Sequence, residues 1–179
     1  MPHESIFIHR EMPSPSALEA CGVPRRYSVV VELLGQGTEG PAYALPDSRV
    51  LKLTEAADSD LYLRRLKYLS KMKFPWVVRV YAAGHVEGGN SEEGVWCVTE
   101  RAYPIPPAME RVFERVDEES FARVFCPVQD PGAREYRAFI FAAKKGGHGD
   151  TGVHNVMARK DGSLVMIDPT AVRIRRGSE

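Results

Sequence analysis

Short stretches rich in apolar and β-branched residues recur in the first hundred positions, a pattern typical of β-strands. The stretches are separated by turns rich in glycine, proline and aspartate. They predict five strands, at 27–34, 41–45, 49–54, 77–83 and 93–101. Between the third and fourth strands, apolar positions recur every three or four residues, which predicts a helix over 55–73. Its apolar face would comprise Tyr62, Leu66, Leu69 and Met72.

The pattern changes after Ala102. The stretch 103–107 contains three prolines, which cannot continue a strand. Helical periodicity follows at 108–124 and 132–145. Two short apolar runs on either side of Asp161-Gly162 then predict a β-hairpin.

These elements predict an α+β protein in three parts. Residues 1–26 form an irregular N-terminal arm with a short helix at 16–20. Residues 27–102 form a small lobe built on a five-stranded antiparallel sheet. Residues 103–179 form a reduced, mainly helical large lobe that ends in the hairpin.

Composition excludes several classes of partner. The 24 Lys and Arg residues balance 24 Asp and Glu residues, so no net positive charge attracts nucleic acid. No apolar run approaches the roughly 20 residues of a membrane helix, and we expect no membrane span. The N-terminus lacks a signal segment, and Cys21, Cys97 and Cys126 are odd in number and widely spaced. We therefore expect a cytoplasmic protein with reduced thiols, and Cys97 as a core residue.

Three glycines, Gly35, Gly37 and Gly40, lie between the first two predicted strands. Glycine lets a backbone turn approach phosphate oxygens closely, with N–H groups left to donate to them. No helix begins at the third glycine, so a dinucleotide-binding crossover fits poorly. Taken alone, the glycines favour an ordinary hairpin turn over a phosphate-binding loop.

A lysine follows on the third predicted strand. Lys52 lies twelve residues after Gly40, between Leu51 and Leu53. A lysine carried by a strand beside a glycine loop can reach nucleotide phosphates. A lysine that simply faces solvent is the alternative.

The segment His148-Gly149-Asp150 precedes Asn155, and Asp168 follows eighteen residues after Asp150. Phosphoryl transfer to a hydroxyl requires a carboxylate near the acceptor and oxygen ligands for magnesium. Asp150, Asn155 and Asp168 supply these groups. The predicted hairpin brings Asn155 and Asp168 to the same end.

In this order and spacing, the motifs resemble the protein-kinase-like superfamily over about residues 28–170. The His-Gly-Asp triplet and Ile167-Asp168-Pro169 are more similar to its aminoglycoside-phosphotransferase-like and atypical branches. The resemblance implies that ATP and Mg²⁺ are the cofactors. It also implies that Asp150 is the catalytic base, that Lys52 contacts the phosphates, and that Asn155 and Asp168 bind magnesium.

The resemblance further places Thr99 in the gatekeeper position beside the nucleotide. The backbone from Glu100 to Ala102 would then face adenine. With the glycine loop and Lys52, these residues complete the expected nucleotide-binding set.

The sequence departs from the family pattern at several positions. The family pattern places a glutamate that pairs with the lysine within the helix after Lys52, but that position falls near Arg65, and Glu55 or Asp58 could take its part. Gly152 stands where a lysine or histidine is common, so His154 could assist phosphoryl transfer, or it could be a packed loop histidine. Only eleven residues follow Asp168, and we expect no activation segment.

The expected activity is transfer of the ATP γ-phosphate to a serine or threonine hydroxyl of a protein, which could be the chain itself. Two alternatives remain: a pseudokinase that regulates a partner protein, and a small-molecule phosphotransferase. The expected partner is accordingly a protein substrate or a regulatory protein. A second copy of the chain, forming a homo-oligomer, is a further candidate.

Overall fold

A computed structural model of the chain describes residues 12–37, 40–56, 58–87, 94–121 and 131–172, and two units can be distinguished. The first unit comprises Met1–Lys73 and Arg79–Arg101. The second comprises Phe74–Val78 and Ala102–Glu179. The predicted α+β class is confirmed, because a five-stranded antiparallel sheet occurs together with several helices.

The sheet belongs to the first unit. Its strand order is β1-β2-β3-β5-β4, and every neighbouring pair is antiparallel. Short apolar runs between turn residues allowed most of these strands to be predicted, although burial differs among them: β5 is buried on both faces, whereas β1 is largely exposed. The strands are β1 (Glu32–Gln36), β2 (Pro41–Ala44), β3 (Arg49–Glu55), β4 (Val80–His85) and β5 (Gly94–Glu100).

Two short helices of the N-terminal arm pack on one face of this sheet. They are α1 (Pro15–Ala20), which Ser14 caps through its hydroxyl, and α2 (Arg25–Ser28). The prediction that a strand begins at Tyr27 is wrong, because Tyr27 lies in α2 and its N–H donates to the Pro24 carbonyl at 2.7 Å. The shared core contains Leu18, Val23, Tyr27, Tyr43, Leu45, Leu51, Leu53, Trp96 and Val98.

Helix α3 (Ser59–Lys71) contacts β4 and β5. It begins later than predicted, because β3 continues to Glu55 and Asp58 caps the helix. Its buried residues are Leu63, Leu66 and Leu69. The predicted apolar face was therefore wrong at both ends: Leu63 replaces Tyr62, and Met72 lies at the C-cap with 40% of its surface exposed.

The described part of the second unit contains two α-helices and a hairpin. A stacked pair joins the helices, with the Phe113 and Tyr136 rings 4.1 Å apart at an angle of 6°. The Asp-Gly turn falls between the two hairpin strands, as the sequence predicts. The elements are α4 (Pro107–Phe121), α5 (Pro131–Lys145), β6 (Val156–Ala158), β7 (Leu164–Met166) and short 3₁₀ turns at Val153–Asn155 and Pro169–Ala171.

The segment Phe74–Val78, which the sequence analysis assigned to the small lobe, belongs to the second unit. Val78 donates its N–H to the Met166 carbonyl at 2.9 Å, so the segment runs beside β7. The Arg159 guanidinium adds hydrogen bonds to the carbonyls of Pro75 and Val77, at 2.7 and 3.1 Å. The fourth strand of the sheet therefore begins at Val80 and not at Val77.

Several predictions lie outside the described residues. They concern the arm before Met12, residue 93 at the start of the fifth predicted strand, the end of the helix predicted to reach 124, and Cys126. Cys97 is buried, as predicted. Across the described ranges, none of the helices has the length and apolar character needed to cross a membrane.

Candidate functional site

The glycine loop closes the β1–β2 hairpin. Gly37 and Gly40 each donate an N–H to the other's carbonyl, at 3.0 and 3.3 Å. These two donors are therefore engaged, contrary to the expectation that the loop leaves them free for phosphate. Gly40 has φ +142°, a conformation that favours glycine. Nothing lies within 4 Å of where a side chain at Gly35 would begin, so that position is open on the strand.

Lys52 and Thr99 lie on the same face of the sheet. Leu51 and Leu53 are fully buried in the core, so alternation directs Lys52 to the opposite face. Lys52 pairs with Cys97, and Val50 pairs with Thr99 on the neighbouring strand. Thr99 is thus diagonal to Lys52, about 7–8 Å away by ordinary sheet geometry. The sheet brings together two of the residues predicted to contact the nucleotide.

The predicted partners of Lys52 have other roles. Asp58 accepts a hydrogen bond from the Leu61 N–H at 2.9 Å, which caps α3. Glu55 is exposed at the end of β3. The proposed pairing through Asp58 therefore competes with a cap that stabilises the helix.

The predicted adenine-facing segment divides between the two units. Glu100 is the last residue of β5 in the first unit, whereas Ala102 is in the second. Two hydrogen bonds join Glu100 and Arg79. The Glu100 N–H donates to the Arg79 carbonyl at 2.9 Å, and the Arg79 N–H donates to the Glu100 carboxylate at 2.8 Å. These bonds fix the end of β5.

Asp150 lies in the exposed loop that follows α5. Its Oδ1 accepts the Gly152 N–H at 3.2 Å, and its Oδ2 is 3.7 Å from His154 Nε2. The His154 side chain is 71% exposed, so it is not the packed loop histidine considered from the sequence. A side chain at Gly152 would meet the imidazole at 2.5 Å, so glycine permits this approach.

Asn155 and Asp168 lie at the same end of the hairpin, as predicted. The Asn155 carbonyl accepts the Ile167 N–H at 2.9 Å, one residue beyond the Val156–Met166 pair. Asp168 therefore follows the residue that is directly opposite Asn155. Both side chains are half-buried.

His148, two residues before Asp150, links this loop to the backbone at Asp168. It is 4% exposed, and its Nε2 is 2.9 Å from the Asp168 carbonyl. A carbonyl only accepts, so Nε2 carries the proton. The ring meets Trp76 edge-on, with centroids 5.8 Å apart at 88°. The sequence motif included His148, but it did not predict this link to Asp168.

The donor set suits magnesium better than a transition metal. Within the ranges that the structure describes, no three His, Cys, Asp or Glu side chains are grouped as a metal site. An amide oxygen from Asn155 and a carboxylate from Asp168 are hard oxygen ligands. Magnesium commonly takes one or two such protein ligands and completes its shell with phosphate oxygens and water. These residues therefore fit a magnesium ion that arrives with a nucleotide.

Comparison with known proteins supports the fold. No protein-family model matches the chain, and no curated protein matches it significantly. A crystal structure of Rad53 residues 1–466 in complex with AMP-PNP matches at TM-score 0.53 and 20% identity, over 82% of this chain and 39% of that one. A MAP kinase, LmaMPK10 from Leishmania major, matches at TM-score 0.47 and 15% identity, over 81% of this chain and 46% of that one.

The Rad53 match shows a protein-kinase-like fold for this chain. The chain spans less than half the length of each of these kinase structures.

Proposed function

We propose that this protein is an ATP-dependent phosphotransferase that acts on serine or threonine hydroxyls of a protein, itself included. One observation carries the proposal. Asp150, Asn155 and Asp168 lie in one segment of the second unit, and hydrogen bonds join its parts. His148 contacts the Asp168 carbonyl, and the Asn155 carbonyl accepts the Ile167 N–H. A kinase-like fold with these groups supports phosphotransferase chemistry.

In this proposal, Lys52 binds the ATP phosphates, and Thr99 with the Glu100 to Ala102 backbone lies along the base. The glycine hairpin contributes to phosphate binding by exchanging the bonds between Gly37 and Gly40 for bonds to phosphate oxygens. Asn155 and Asp168 hold Mg²⁺, which neutralises charge on the phosphate oxygens when bound. The presence of AMP-PNP in the similar Rad53 structure supports a nucleotide as the ligand.

Asp150 acts as the base. Its Oδ1 is held by the Gly152 N–H, which orients the carboxylate in an exposed loop. It accepts the proton of the acceptor hydroxyl while that oxygen forms a bond to the γ-phosphorus. The bond from the γ-phosphorus to the bridging oxygen breaks, and ADP leaves.

The test is incubation with γ-labelled ATP and Mg²⁺, followed by separation of proteins and identification of labelled amino acids. We expect label on serine or threonine, and a loss of about 100-fold or more in Asp150→Ala. Asp161→Ala is the matched control, because Asp161 is an exposed carboxylate in the hairpin turn of the same unit. Label that appears on no protein would contradict the proposal.

A regulatory binding module is the second candidate. The engaged N–H groups of Gly37 and Gly40 and the absence of a glutamate from α3 favour it. This candidate predicts that the chain binds nucleotide but transfers no phosphate. ATP binding in an assay where no protein becomes labelled would therefore support it. Label on an added small alcohol, and not on protein, would instead indicate a small-molecule phosphotransferase.

A further inference from the structure

Asp117 on α4 makes a contact that the proposed chemistry does not use. Its Oδ2 accepts hydrogen bonds from the Tyr136 hydroxyl at 3.0 Å and from the Val153 N–H at 3.1 Å. One carboxylate oxygen therefore joins α4 to α5 and to the loop that carries Asp150 and Asn155. Val153 lies 36 residues away along the chain.

The environment fixes this carboxylate. Tyr136 is fully buried and stacks on Phe113, so its ring has a single packed position. Burial, together with the charge and hydrogen bond of Asp117, raises the pKa of Tyr136. The hydroxyl therefore remains protonated and donates. An ionised carboxylate can only accept, so both contacts have the required polarity.

The Val153 N–H is a group that the local backbone does not bond. Val153 begins the 3₁₀ turn Val153–Asn155, and the first N–H groups of a helical turn have no partner inside it. Hydrogen bonds to charged acceptors are stronger than those to neutral acceptors. Asp117 therefore supplies an anchor at the middle of the Asp150–Asn155 loop.

We propose that Asp117 is a positioning residue that holds the Asp150–Asn155 loop in its active geometry. It acts through Val153. The effect on transfer depends on the proposed function, whereas the effect on the loop does not. Loss of the anchor should lower kcat more than it raises the KM for ATP, because Lys52 and Thr99 belong to the first unit and Asp168 keeps its own contact with His148.

The first test compares Asp117→Ala, Asp117→Asn and Glu114→Ala. We expect Asp117→Ala to lower kcat at least about 10-fold, with a smaller rise in the KM for ATP. Asp117→Asn should restore most of the rate, because its amide oxygen can accept both hydrogen bonds. Glu114 is exposed one turn earlier on α4 and should behave as wild type. An unchanged kcat in Asp117→Ala would overturn the proposal.

Two further variants separate positioning from stability. Tyr136→Phe removes the other bond to Asp117, so it should lower stability and keep kcat. Val153→Pro removes the N–H at a position where proline fits. Gly152, at φ −62° and ψ 152°, has the conformation favoured before proline, and proline is tolerated at the first position of a turn. The kcat of Val153→Pro should match that of Asp117→Ala, and the double variant should be no slower. If the fold-losses in kcat of the two single variants multiply in the double variant, Asp117 does not act through Val153.

Hydrogen exchange of the Val153 amide provides a readout that does not need activity. Asp117→Ala should speed this exchange at least about 10-fold, since the donor loses its partner, and Glu114→Ala should not. If the wild type transfers no phosphate but the amide responds in this way, the proposed function fails and the anchor stands. If exchange in Asp117→Ala equals that of the wild type, the anchor fails.

Discussion

The two units hold their candidate residues in different ways. In the first, Lys52 and Thr99 lie inside continuous strands, and the β3–β5 ladder pairs seven residues across them. In the second, Asp150, Asn155 and Asp168 lie outside the strands and the α-helices, where single contacts hold the backbone. These contacts are His148 with the Asp168 carbonyl, Ile167 with Asn155, Gly149 with Ala171 and Asp117 with Val153.

This difference shows where the protein is sensitive. A sheet position is maintained by many bonds, so loss of one side chain moves it little. A loop maintained by single contacts loses its geometry when one is removed. We therefore expect mutations outside the candidate residues to affect chemistry in the second unit and mainly stability in the first.

The largest effect is expected where each unit packs a tryptophan on a glycine. A side chain at Gly146 would begin 2.3 Å from the Trp76 ring, and one at Gly84 would begin 2.6 Å from Trp96. Gly146→Ala and Gly84→Ala should each lower the free energy of unfolding by about 1–3 kcal/mol, because the indole must move. Urea unfolding measures this change.

Activity then separates the two variants. Trp76 contacts His148, so Gly146→Ala should also slow phosphate transfer where the protein is still folded. Gly84→Ala should retain transfer. Equal transfer rates in the two folded variants would contradict the difference between the units.

Sequence alone could predict most of the sheet because its strands are short apolar runs bounded by turn residues, and in β3 burial also imposes alternation. Leu51 and Leu53 identify the buried face, and Lys52 is assigned to the other face without further information. Tyr27 shows the limit of that reasoning, because an apolar residue beside a strand fits an adjoining helix equally well.

The candidate residues of the second unit could be predicted from the sequence only as a motif. Asp150, Asn155 and Asp168 are recognised by their order, and the hairpin signal places two of them together. The sequence gives no sign of the Asp117 contact, because it depends on which turn of α4 faces the loop. Likewise, nothing in the sequence shows that Gly37 and Gly40 bond to each other.

A smaller effect is expected in the core of the first unit. Tyr43 is fully buried, and its hydroxyl has no hydrogen-bond partner among the residues that the structure describes. Tyr43→Phe removes an unpaired polar group and should raise the free energy of unfolding by about 1 kcal/mol. Urea unfolding at neutral pH measures this increase, and a decrease would contradict it.

The same residue predicts a loss of stability in alkali. Burial raises the pKa of Tyr43 from 10.0 to about 12. Because the folded-state pKa is the higher one, its contribution is complete below pH 10 and is lost as the pH rises towards 12. The free energy of unfolding, measured across this pH range, should decline more steeply in wild type than in Tyr43→Phe. Parallel declines would show that Tyr43 is not responsible.

The smallest effect is expected in the hairpin turn of the second unit. Asp161 accepts hydrogen bonds from the Ser163 hydroxyl at 2.7 Å and its N–H at 2.9 Å, and these bonds lower the pKa of Asp161. Its contribution is present above the ordinary carboxyl pKa and is lost as the pH falls through the lowered value. As the pH falls into the acid range, the unfolding temperature should therefore decrease slightly more in wild type than in Asp161→Asn. The reverse order would contradict this assignment.

The most direct test of the central claim is the effect of Mg²⁺ on nucleotide affinity. Calorimetric titration with ATP, with and without Mg²⁺, would compare wild type with Asp168→Asn and with the control Asp161→Asn. We predict that Mg²⁺ tightens ATP binding at least about 10-fold, or about 1.4 kcal/mol, in wild type and in the control, and that Asp168→Asn loses this gain. An affinity that is independent of Mg²⁺ in wild type, or the same gain in Asp168→Asn, would contradict a magnesium-nucleotide site.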